Sequence, residues 1–193
     1  MLHPVWLTGV GIWIIFNHHF ILRSKLAALS LGPLYFVIFL STVLLPVMTG
    51  MIITGTQKLA RLSTIDVKQR SAFLLSGAVY TSLLIFFFTK ASLEIFVLPF
   101  MIGQVAIQVI GVIINLKLKI SMHGLGWGGF TAMLFNLIEV GSPQVFWMFL
   151  AAIFLSGLVL SARLIVVAHT RLEIYIGYLV GFFTMILTYL IYG

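Results

Sequence analysis

Cysteine is absent from the 193 residues, which excludes disulfides, iron–sulfur clusters and thiolate metal sites. Charge is nearly as scarce. Asp, Glu, Lys and Arg make up 8% of the chain, against about 25% in an ordinary soluble domain. Internal repeats, low-complexity tracts and linkers are missing too, so residues 1–193 read as one domain with no sizeable soluble part. The opening stretch, MLHPVWLTGVGIWIIFNHHFIL, has neither a basic leader nor a small-residue cleavage site. It reads as a retained segment and not as a signal peptide.

What fills the chain is hydrocarbon: 62% of the residues are hydrophobic and the mean hydropathy is +1.21. The expected fold class is therefore an all-α integral membrane protein, a polytopic bundle of six to seven transmembrane helices. On a ruler of about 20 apolar residues per crossing, seven stretches qualify: 4–22, 32–55, 71–89, 92–116, 122–139, 145–162 and 172–191. The first is the weakest, because Asn17, His18 and His19 occupy its last turns. Pro46 lies inside the second, where a kink is expected. GSPQ at 141–144 reads as a tight turn between antiparallel helices. Gly124 and Gly128 form a G-x-x-x-G that lets the fifth helix approach a neighbour closely.

Eleven Lys and Arg stand against four acids, a formal charge of +7. With seven spans, Lys58, Arg61, Lys68, Arg70, Lys117, Lys119, Arg163 and Arg171 all fall on one membrane face. Arg23, Lys25 and Lys90 remain on the other. Two readings fit this asymmetry. It is the positive-inside signature, which would put the basic face in the cytoplasm, or the cations converge on an anionic substrate. Charge alone does not choose.

The same face carries histidines. Arg163 precedes His169 with five residues between them, and Glu173 follows His169 at i+4. On one helix face the carboxylate can accept the imidazole Nδ1 proton and leave Nε2 free to attack an electrophile. Taken alone, such a pair is more often a capped helix end. Ser121 and His123 add a hydroxyl and a second imidazole at the start of the fifth helix, and Arg70 arrives at the start of the third. Arginine forks bind phosphate oxygens, one imidazole attacks and another protonates the leaving oxygen. Phosphoryl transfer suits that inventory.

At these residues the chain resembles the type-2 phosphatidic acid phosphatase superfamily, which shares its core with vanadium haloperoxidases. The family pattern is K-x6-R-P, then P-S-G-H, then S-R-x5-H-x3-D. Here the second signature reads Ile120-Ser121-Met122-His123, and the third reads Arg163, His169 and Glu173, with Ser161 one residue further upstream than usual. The first departs most: aligning its arginine on Arg70 places Ser63 at the lysine and Ser71 at the proline, with Lys68 or Lys58 as substitute cations. The wider context, KISMHGLGWGG followed by SARLIVVAHT, looks like a small multispan bacterial branch. The likeness covers roughly residues 55–185 and leaves the first two spans, 4–22 and 32–55, peripheral to the motifs.

The resemblance implies a lipid-phosphate phosphatase of the bacterial inner membrane, with its site on the periplasmic side and needing neither metal nor cofactor. It implies His169 as nucleophile, His123 as acid, and Glu173 as the group that orients His169. Arg163, Arg70, Lys68 and Ser121 would hold phosphate. Partners are a lipid phosphate and membrane lipids, not nucleic acid. Phosphatidic acid, phosphatidylglycerol phosphate and polyprenyl diphosphate remain open as substrates. The competing reading is a catalytically degenerate relative that binds lipid or assists membrane-protein assembly. A transporter is a third, resting only on Gln104 and Gln108 near mid-membrane. The bland reading of Gln104, Gln108 and Asn115, which fall within about 40° of one another on the fourth helix, is that they tie helices together. His18 and His19 read as interfacial anchors, with no third ligand to make a metal site.

Overall fold

Apolar runs that are hydrophobic all round, as here, form helices buried in lipid or in a bundle core. The computed structural model describes residues 4–19, 21–22, 31–54, 66–90 and 94–193; Lys58, Arg61 and Ser63 lie outside the described residues. Among the described residues the α-helices in order are α1 Val5–His18, α2 Leu31–Phe39, α3 Leu45–Thr54, α4 Val67–Lys90, α5 Glu94–Asn115, α6 Met122–Leu137, α7 Gln144–Ile165 and α8 Arg171–Tyr192. No strand occurs among the described residues.

Between α2 and α3 the chain stays helical but widens into a π-helical turn, Leu40–Leu44. Pro46 explains it. Its ring has no N–H to donate and would collide with the carbonyl four residues back, at Thr42. A widened turn relieves that clash without breaking the helix.

Among the described residues five helical stretches are long and apolar enough to cross a membrane: Gly32–Ile53, Val67–Lys90, Val97–Asn115, Gln144–Ile165 and Arg171–Tyr192. Two of the seven expected spans are shorter helices, each for a physical reason. First, α1 has 14 residues, about 21 Å of helix against a hydrocarbon core of about 30 Å. It stops where Asn17 and His18 arrive. His18 turns to the α6–α7 connection, where its Nδ1 lies 2.7 Å from Ser142 Oγ and its carbonyl accepts from the Ser142 N–H at 2.8 Å. Second, α6 has 16 residues, and thirteen of them are buried. It is the central post of the bundle, covered by its neighbours, so lipid thickness does not set its length.

A glycine seam joins α6 to α8. A Cβ on Gly124 would stand 2.9 Å from the Ile174 carbonyl oxygen, and one on Gly177 would stand 2.9 Å from that of Ser121. A Cβ on Gly128 would overlap the Tyr178 carbonyl, and one on Gly181 the Leu125 carbonyl. Each helix thus presents a G-x-x-x-G to the other, and the backbones touch. The rest of the core is large and apolar, with Phe88, Phe100, Met101, Met133 and Met185 all shut off from the surface.

Helix ends meet in a consistent sense. Asn115, closing α5, bonds to Val67, opening α4; Ser121, before α6, bonds to Glu173 in the first turn of α8. The described cations Lys68, Arg70, Lys117, Lys119, Arg163 and Arg171 therefore share one end of the bundle, and Lys90 lies at the other.

Candidate functional site

The site is assembled from three helix starts and two helix ends. Arg70 sits in the first turn of α4 and is 1% exposed; its Nη1 lies 3.5 Å from the Ile120 carbonyl oxygen. That turn is fixed from α5. Buried Asn115 donates through Nδ2 to the Val67 carbonyl at 3.1 Å and to Ser71 Oγ at 3.0 Å. Asn115 thus ties helices, as expected of it. Replacing it with alanine removes two part-buried hydrogen bonds and should cost roughly 1–3 kcal/mol, read as a lower unfolding midpoint in a denaturing-detergent titration.

Ser121 is fully buried and caps α6, its Oγ accepting from the Gly124 N–H at 3.1 Å. Its own N–H donates to the Glu173 carbonyl at 3.3 Å. The hydroxyl proton therefore remains available to an acceptor. His123 follows in the first turn of α6 and is buried.

Arg163 occupies the last turn of α7, buried, with no hydrogen-bond partner for its Nε. The chain then reverses within five residues. Val167 takes φ 50°, a left-handed conformation that a β-branched residue rarely adopts. Beside it Ala168 is buried and donates its N–H to the Arg163 carbonyl at 3.2 Å. This tight reversal carries His169 inward.

At the start of α8, Glu173 makes both the contact to His169 and the helix cap. Its Oε2 lies 2.9 Å from His169 Nδ1 and accepts the Thr170 N–H at 3.1 Å. Thr170 Oγ1 accepts the Glu173 N–H in return at 3.3 Å, completing a capping box. One carboxylate oxygen closes the helix and orients the imidazole. The His169 side chain is 5% exposed and that of Glu173 14%.

Burial holds the His169 pKa below its usual 6.5; the Glu173 hydrogen bond opposes this, and the charges of Arg70 and Arg163 reinforce it. His169 is thus neutral at pH 7. With Nδ1–H held by Glu173, its Nε2 lone pair is unprotonated. Arg70 and Arg163 also act on one another, and Glu173 acts on Arg70. The four side chains form one electrostatic group.

Arg70, Arg163, His169 and Glu173 are brought together, with Ser121 joined to them through the Glu173 backbone. Lys68 is not. It is exposed, because two residues along a helix place it about 200° from Arg70. Ser161 is exposed as well. The second G-x-x-x-G, Gly177 and Gly181, escaped the sequence reading although its spacing repeats that of Gly124 and Gly128. It sets the distance between the α6 and α8 starts. Comparison with protein-family models, with curated proteins and with solved structures finds no match.

Proposed function

We propose that the chain is a membrane-embedded phosphatase that hydrolyses a phosphomonoester or diphosphate on an amphiphilic lipid through a phosphohistidine. The observation that carries this is His169, held through Nδ1 by Glu173, in one electrostatic group with two buried arginines. In this reading Arg70, Arg163 and the Ser121 hydroxyl bind the phosphate oxygens. His169 Nε2 attacks phosphorus, the P–O bond to the lipid breaks, and His123 gives its proton to the departing oxygen. Water then attacks the phosphohistidine, His123 takes a proton from it, and inorganic phosphate leaves with His169 restored. The site lies at a bundle end, where a headgroup can reach it while its tail stays in hydrocarbon.

The membrane is the bacterial inner membrane in this proposal, with the site facing the periplasm. The short α1 and the sheltered α6 raise the five long spans to six or seven crossings. A second reading, lipid binding or membrane-protein assembly without turnover, draws on the exposure of Lys68, which leaves two cations in the buried group. Phosphate release from a panel of lipid phosphates by the detergent-purified protein separates the two. The phosphatase releases phosphate from at least one lipid, and the release disappears in Arg163→Ala and His123→Ala. A flat panel favours the binding reading.

The pH profile carries a sign. His169 attacks in its neutral form, so turnover should persist below pH 6.5 and decline only as pH falls through the lowered pKa. Glu173 raises that pKa. In Glu173→Gln the acidic limb should therefore move to still lower pH while the maximal rate drops. An acidic limb that stays in place would mean that Glu173 serves only the helix cap.

A further inference from the structure

Inward from the cationic group, α1, the π-helical turn, α3, α4, α5 and the start of α6 surround a cavity of about 80 Å³, enough for several water-sized groups. None of its lining residues is ionisable. Its polarity comes from hydroxyls and from the amides of Gln104 and Gln108. Thr42 and Thr81 already donate to carbonyls of their own helices. The glutamines are different. Gln104 is 5% exposed, and neither its Nε2 nor Gln108 Oε1 has a hydrogen-bond partner. Among the described residues neither amide makes the helix-tying hydrogen bond that the sequence suggested, and an orphaned buried amide atom is costly to keep. Four residues apart, the two amides share one face of α5, separated by about 6 Å along its axis.

The cavity's position is informative. Leu74, in its wall, lies one turn inward of Arg70, and Met122 stands between Ser121 and His123. On the other side Thr42 also lines a larger outer concavity of about 320 Å³. That one is built from Trp6, Trp13, Tyr35 and Phe39 and is apolar. From the bundle end outward the order is cationic, then neutral and hydrogen-bonding, then apolar. A diacyl glycerolipid phosphate has the same order: phosphate, ester carbonyls, acyl chains. A polyprenyl diphosphate has no hydrogen-bonding group beyond its phosphates and would leave the glutamines orphaned. We infer that the Gln104–Gln108 cavity binds the ester carbonyls of a diacyl glycerolipid, whose acyl chain leaves past Thr42 along the Trp6–Trp13 concavity. Gln104 Nε2–H donates to one carbonyl. The Gln108 amide, turned over, donates to the second. As a statement of substrate class this rests on the phosphatase reading; as a binding site it does not.

The test compares binding of dioleoyl phosphatidic acid, its dialkyl ether analogue and a polyprenyl diphosphate to the full chain in detergent, by native mass spectrometry. Phosphate release is measured on the same samples. Wild type should prefer ester to ether by about 3- to 10-fold per carbonyl bond. In Gln104→Leu that preference should shrink while the ether analogue binds as before. Equal affinity for ester and ether, an unchanged preference in Gln104→Leu, tighter binding of the polyprenyl lipid, or no binding at all would each overturn the site. The wild-type ester–ether comparison stands even if a variant fails to fold. Ester-selective binding without phosphate release keeps the site and removes the phosphatase reading; release confined to the polyprenyl lipid does the reverse.

Discussion

Replacing His169 with alanine is expected to lower lipid-phosphate turnover by roughly 10³-fold or more, the scale seen when a nucleophile is removed. The fold should survive. The imidazole bonds to Glu173 Oε2, and the capping box between Thr170 and Glu173 shares that oxygen but uses no atom of the imidazole. Losing one such bond costs about 1 kcal/mol, too little to unfold a bundle. Lipid-phosphate affinity should change little, because Arg70 and Arg163 stay in place. A kcat collapse with a nearly constant KM is the signature. A proportionate rise in KM, with kcat preserved, would make His169 a binding group instead. The same residue then tests chemistry separately from stability.

The second large effect concerns the seam. Gly181→Val should destabilise the protein by at least about 1–3 kcal/mol, the range for overpacking, and abolish turnover with it. The added carbons have nowhere to go: a Cβ at Gly181 overlaps the Leu125 carbonyl and stands 3.0 Å from the Gly129 nitrogen. Backbone cannot swing aside as a flexible side chain can, so α8 must move away from α6. The consequence reaches the site, because Ser121 and His123 ride on α6 while Glu173 rides on α8. Gly157→Ala is the control. A Cβ there meets nothing within 4 Å, and its unfolding midpoint should shift by no more than about 1 kcal/mol. Denaturing-detergent titrations of both variants decide the matter; equal midpoints would contradict the seam.

Some of this was legible in the residues and some was not, for reasons that differ by element. Helices over the long apolar runs follow from composition alone, since lipid-buried backbone must satisfy itself internally. The lengths of α1 and α6 do not follow. Hydropathy registers burial but not whether lipid or protein supplies it, so the sheltered α6 looks like any other span. The helix ends fall within a few residues of the expected spans. At α4 the helix begins at Val67, ahead of the apolar stretch that opens at 71, and Arg70, expected at its start, is a buried helical residue on the face opposite Lys68. Spacing brought Arg163, His169 and Glu173 into one reading because they are local in the chain. Their union with Arg70 is a tertiary fact, made by Asn115 at one end of α5 and by the glycine seam beside it. Gln104 and Gln108 were visible as a polar stripe. Whether such amides pair or stay orphaned depends on what the neighbouring helices bring against them, which spacing along one helix does not tell.

The central claim is that His169 carries the phosphoryl group. The most direct measurement is to quench the wild-type protein during turnover of a ³²P-labelled lipid phosphate and map the label by peptide mass spectrometry under alkaline conditions that preserve phosphohistidine. The account predicts label on the peptide holding His169 and none in His169→Ala. Phosphate release that proceeds with His169 unlabelled, or with full rate in His169→Ala, would contradict it.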